Sequence, residues 1–119
     1  MSHSHPAVIT CALTGVLTAP GPPQVPVTAS QMADAAAEAF NAGATVLHCH
    51  YRRQEPGMGR FPTWEAEVVA EIDAAIRARV PEIIVNMSTG VVGPDVSGPL
   101  ACLERIRHEV AALNAGSLN

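Results

Sequence analysis

The residues best placed to do chemistry are His48 and His50, which close an apolar run from Ala44 to Cys49. In a β-strand successive side chains alternate between faces, so two histidines one residue apart point the same way. At a rise of about 3.3 Å per residue their backbones lie ~7 Å apart. From that span two imidazoles can converge on one ion at ~2.0–2.1 Å each, which is the donor chemistry of zinc. Cys49 points to the other face and reads as core. A catalytic zinc needs at least one further protein ligand and an open position, and none is obvious among the 119 residues. The plain alternative is a pair of polar residues that ends a strand near solvent.

A second group follows the next apolar run. Asn86 and Ser88 share a face, and Ser88-Thr89-Gly90 opens a turn. The Ser88 hydroxyl and the backbone N–H groups after it could receive an anion such as a carboxylate; an ordinary hydroxyl-rich turn has the same composition. Arg52 carries a guanidinium fork suited to a carboxylate or phosphate, or it is a surface cation. Asn114 lies after the last apolar run in the same style. Neither Ser88 nor Cys49 has an evident base beside it, so a nucleophilic role has little support. His3 and His5 repeat the spacing in a polar tail without a strand pattern. His108 falls near the end of a helical stretch, where a surface position favourable to the helix dipole is expected.

The elements that must hold these groups alternate strand and helix. Ala7–Leu13 is a β-rich run, followed by a proline-rich loop from Thr14 to Val27. Thr28 reads as an N-cap with Gln31 completing a capping box, Met32, Ala36 and Phe40 recur at helical spacing, and Gly43 ends the helix. Ala44–Cys49 is a strand, and Tyr51–Pro62 a loop. Thr63 can cap a helix with Val68, Ile72, Ala75, Ile76 and Arg79 on one face. Ile83–Met87 is a strand. Ser97 can cap a third helix, with Pro99 in its first turn and Leu100, Leu103 and Ile106 buried. Val110–Leu113 is a fourth strand. This order implies a parallel sheet whose sites lie at the carboxyl ends of the strands, either a small open sheet or half of an eight-stranded barrel. A dinucleotide fingerprint is absent, because Gly15 and Gly21 are too far apart.

Composition narrows the class. Apolar residues make up 48% and charged residues 15%, which suits a buried α/β framework. The net charge of -4 and the lack of a basic run argue against nucleic acid. No apolar stretch reaches the ~18 residues of a membrane span, and the N-terminus lacks the regions of a signal peptide. Cys11, Cys49 and Cys102 form an odd count without paired spacing, as expected of reduced buried thiols in a cytoplasmic protein.

The motifs together resemble the β-keto acid cleavage enzymes, a family first named for 3-keto-5-aminohexanoate cleavage. The matching pieces are Ile9 to Gly15, then Ala42-Gly43-Ala44 leading to His48, His50 and Arg52, then Ser88-Thr89-Gly90, then Ala111 to Ser117. The resemblance implies a (β/α)₈ TIM barrel roughly twice this length or more, of which residues 1–119 would be one partial domain, about the first three and a half units. It implies zinc on His48 and His50, with a glutamate from the absent C-terminal half as third ligand. It implies a substrate held near Ser88, Thr89, Gly90, Val91 and Asn114, with Ser88 and Arg52 as candidate catalytic residues. The reaction would convert a β-keto acid and acetyl-CoA into acetoacetate and a new acyl-CoA. Leu17 stands where members acting on amino substrates carry an acidic residue, which points to a β-keto acid with an apolar or neutral tail. Ala112 stands where they carry a hydroxyl. A half-barrel would leave an open sheet edge and an apolar face, so pairing with itself or with a C-terminal half is expected, as is weak zinc binding by two histidines alone. Two other readings are a metal-dependent barrel hydrolase and a non-catalytic fragment acting in assembly.

Overall fold

The computed structural model describes residues 4–15 and 25–113. Leu17, Asn114 and His3 lie outside the described residues, and with them the expectations placed there. The element order is β1 (Thr10–Leu13), α1 (Ala29–Asn41), β2 (Val46–Cys49), α2 (Ala66–Arg79), β3 (Ile84–Met87), α3 (Ser97–Arg105) and β4 (Val110–Ala111). The four strands form one all-parallel sheet in the sequential order β1-β2-β3-β4. The strands are shorter than their apolar runs, because pairing is confined to the stretch where neighbours are in register.

Register divides the sheet into two faces. Cys11, Leu13, Leu47, Cys49, Val85 and Met87 face the helices, and Leu47, Cys49, Val85 and Met87 are completely buried. They pack with Met32 and Ala36 of α1, Val69, Ile72 and Ile76 of α2, and Cys102 of α3. Burying one such side chain contributes about 1.5–3 kcal/mol, so this layer holds the fold. The opposite face carries two rows, Thr10–Val46–Ile84 and Ala12–His48–Asn86–Val110. None of these residues belongs to the core cluster, and Ile84 and Val110 are exposed.

Local chemistry sets the helix ends. Thr28 Oγ1 accepts from Gln31 N at 3.2 Å while Gln31 Oε1 accepts from Thr28 N at 3.1 Å, the reciprocal capping box expected from the sequence. Gly43, at φ +110°, lets the chain leave α1 where a side chain would be strained. Three expectations are corrected. Thr63 does not cap α2: the helix starts at Ala66 with Glu65 at the N-cap, and the Thr63 hydroxyl accepts from Glu65 N. The buried face of α2 runs through Ala66, Val69, Ile72, Asp73 and Ile76, so Ile72 and Ile76 lie where expected, Val68 is only partly buried against the core, and Arg79 is exposed. Ser97 is already inside α3, its N–H taken by Asp95 Oδ1, and that helix buries Pro99 and Cys102 while Leu100 faces out.

Candidate functional site

His48 is the third residue of β2 and His50 follows its end. Strand alternation puts both on the helix-free face, half-buried, with ring centroids 4.9 Å apart in an edge-on arrangement. Burial, then His48 and Arg52 nearby, lowers the pKa of His50 to about 4. Its imidazole is therefore neutral near neutral pH, the form that ligates metal. Two close, half-shielded nitrogen donors on the open side of a sheet fit a zinc or similar ion. Among the described residues no group of three His, Cys, Asp or Glu side chains could hold one, so the pair forms an incomplete donor set here. Cys49 is buried among the helices as expected, and burial together with the negative groups around it pushes its thiol up to about 12, which leaves it inert.

Asn86 sits directly across from His48 on β3. Its Oδ1 is buried and has no hydrogen-bond partner. A buried acceptor left so costs about 1–3 kcal/mol. Sequence reasoning noted Asn86 only as sharing a face with Ser88; cross-strand register, invisible in one strand, makes it the neighbour of His48.

The turn after β3 is held from three sides. Ser88 N donates to Cys49 O at 3.0 Å, Thr89 Oγ1 donates to Ala112 O at 2.6 Å, and Trp64 Nε1 donates to Ser88 O at 3.2 Å. Gly90 N turns back to Ser88 Oγ at 3.4 Å. The Ser88 oxygen therefore accepts locally, and its proton has no acceptor among the described residues. Val91 and Gly90 are half-buried beyond it. Ser88, Thr89, Gly90 and Val91 thus form one rim at the carboxyl end of β3, beside the end of β2.

Arg52 is no surface cation: it is 1% exposed. Its Nη1 donates to Arg60 O at 2.9 Å and its Nη2 to Thr14 O at 3.1 Å, with Gly15 O also accepting from Nη2. Burial lowers its pKa. The guanidinium ties the turn after β1 to the loop after β2. That turn is strained, because Thr14 is a β-branched residue at φ +79°, followed by Gly15 at φ +61°. The Thr14 hydroxyl lies 3.1 Å from Pro26 O and 3.4 Å from the Met32 sulfur.

Behind the sheet lies a buried polar group that sequence reasoning missed. Tyr51 Oη donates to Asp73 Oδ1 at 2.6 Å, and Asp73 Oδ2 is 2.6 Å from His108 Nε2. The expectation that His108 sits on the surface of the third helix is corrected. The residue follows α3, and its side chain is 1% exposed because Asp73 draws it inward.

A family model described as beta-keto acid cleavage enzyme matches residues 6–119. The chain is 35% identical over its whole length to a 3,5-dioxohexanoate:acetyl-CoA acetone transferase of Paraburkholderia graminis, covering 38% of that protein. It is 31% identical, again over its whole length, to a 3-dehydrocarnitine:acetyl-CoA trimethylamine transferase of Rhizobium meliloti, covering 46% of it. Over 94% of the chain it is 33% identical to a 3-keto-5-aminohexanoate cleavage enzyme of Fusobacterium nucleatum, covering 40% of that protein. The chain therefore spans less than half the length of these relatives. The match runs through every motif at the carboxyl ends of the strands, and the chain belongs to the beta-keto acid cleavage enzyme family.

Proposed function

We propose that the protein is a zinc-dependent transferase that converts a β-keto acid and acetyl-CoA into acetoacetate and a new acyl-CoA. The observation that carries this reading is the His48–His50 pair on the helix-free face, beside the Ser88 rim, in a chain of this family. His48 and His50 would hold the ion, with the remaining donor, a glutamate by family resemblance, outside the described residues. When bound, zinc supplies Lewis-acid polarisation of a ketone. The Ser88 hydroxyl would donate a hydrogen bond to the substrate carboxylate, and the main chain through Thr89, Gly90 and Val91 shapes the rim that receives it. By family resemblance Asn114, outside the described residues, would also contribute to holding the substrate. Arg52 acts by fixing the turn at Thr14 and Gly15 in place.

The sheet suits the barrel reading. Sequential parallel strands with helices on one face only are wound as in a (β/α)₈ barrel, and closing such a sheet puts the bare face inside. The bare rows would then become interior layers, with His48 and His50 at the mouth. Residues 1–119 would form part of that domain, completed by further chain or a partner copy in a cytoplasmic homo-oligomer. No helix among the described residues is long and apolar enough to cross a membrane. Leu17 favours a substrate tail without an ammonium group.

The test is to incubate the intact protein with simple β-keto acids, with and without acetyl-CoA, and follow acyl-CoA by mass spectrometry. A new acyl-CoA together with acetoacetate is expected. Product released without acetyl-CoA would replace the transferase by a hydrolase, and preference for the amino substrate would overturn the tail assignment.

A further inference from the structure

The helix-free face places one hydrogen-bonding side chain beside His48 in its own row. The row reads Ala12–His48–Asn86–Val110, so the flanking positions on β1 and β4 offer only hydrocarbon. Adjacent strands are about 4.8 Å apart, which is within reach for an imidazole and a neighbouring amide. Asn86 Oδ1 is buried and lacks a donor. The His48 ring has no hydrogen bond among the described residues, its nearest aromatic neighbour being the His50 ring at 4.9 Å. An imidazole that gives one nitrogen to a metal presents an N–H on the other, and such an N–H normally finds a carboxylate or carbonyl oxygen that fixes its tautomer and ring plane.

We infer that Asn86 is a positioning residue, whose Oδ1 accepts the non-ligating N–H of His48 and so presents the other ring nitrogen to the metal. The pairing would satisfy both orphaned groups at once. It rests on the reading of His48 and His50 as a metal pair.

The experiment uses the intact protein and four variants, Asn86→Asp, Asn86→Leu, Asn86→Ala and His48→Ala. Zinc and cobalt affinities are measured by chelator competition, the His48 tautomer by ¹⁵N NMR of the metal-free protein, and folding by thermal midpoint. Asn86→Leu and Asn86→Ala should each bind metal roughly 10–100-fold more weakly and lose the single tautomer. Asn86→Asp, which keeps an acceptor oxygen, should stay within a few fold of the parent. A merely structural role for Asn86 would move the thermal midpoint and leave the tautomer unchanged. If both apolar variants keep full affinity, or if Asn86→Asp falls as far as they do, the positioning role is overturned while the metal pair stands. If His48→Ala itself binds metal as the parent does, the metal pair fails and the positioning role with it.

Discussion

The two faces of β2 were built for different ends. On one, Leu47, Cys49 and Tyr51 are buried against the helices, and the one polar tip, the Tyr51 hydroxyl, donates to Asp73 at 2.6 Å. On the other, Val46, His48 and His50 are half-buried, the two imidazole rings have no hydrogen bonds among the described residues, and the neighbouring Asn86 oxygen is unpartnered. On the helix side the buried polar group of Tyr51, Asp73 and His108 is joined by hydrogen bonds, His108 Nδ1 excepted. The open side holds polar groups in readiness, at a cost that stability alone does not explain. Strand alternation lets one short segment do both, because successive residues never share a face.

The largest test of that contrast is Asp73→Ala. It strands the Tyr51 hydroxyl and the His108 ring in the core, so unfolding in urea should show a loss of about 3–5 kcal/mol. A loss under ~1 kcal/mol would mean that the network is decoration. Leu47→Ala should cost about 2–5 kcal/mol by leaving a cavity under the helices, whereas Val46→Ala, one residue away on the open face, should cost under ~1 kcal/mol. Equal losses in those two variants would erase the distinction between the faces. His48→Ala should change stability by no more than ~0.5 kcal/mol yet abolish metal retention and acyl transfer, read by metal content and product formation on one sample. The smallest effect concerns the edge of the helix side, where Arg77 pairs with Glu109 at 2.8 Å and that hydrogen bond lowers the carboxyl to about 2. A depressed carboxyl adds stability that is complete above its ordinary range near 4.5 and is lost as pH falls towards 2. Both side chains are substantially exposed, so solvent screening holds the gain below about 1 kcal/mol. Glu109→Gln should lower stability at pH 7 by that amount, leave it unchanged below about pH 2, and so flatten the acid limb of a stability–pH profile.

What the sequence made legible follows the range of each interaction. The strand–helix order, the Thr28–Gln31 box and the shared face of His48 and His50 depend on neighbours within four residues, and all appear in the structure. The start of α2 was misplaced because Thr63, a good cap by type, is itself buried at the base of the loop, with its N–H bonded to Tyr51 O. His108 was assigned to the surface because its partner Asp73 is 35 residues away. Arg52 reads from its type as a binding fork or a surface cation; the structure buries it, and its contacts include the carbonyls of Thr14, Gly15 and Arg60, backbone partners that carry no residue signature. The resemblance supplied the grouping of motifs at one end of the sheet, which parallel register then explains.

The indole of Trp64 reaches across from the entry of α2 to the carbonyl of Ser88. The chain has a single tryptophan, so its emission comes from one ring that touches the rim proposed to hold the substrate carboxylate. That bond makes Trp64 an optical gauge of the site: a rearrangement of the turn at Ser88 should change the intensity or wavelength of its emission. Occupancy of the acid subsite could then be followed by titration in the absence of acetyl-CoA, before any turnover begins.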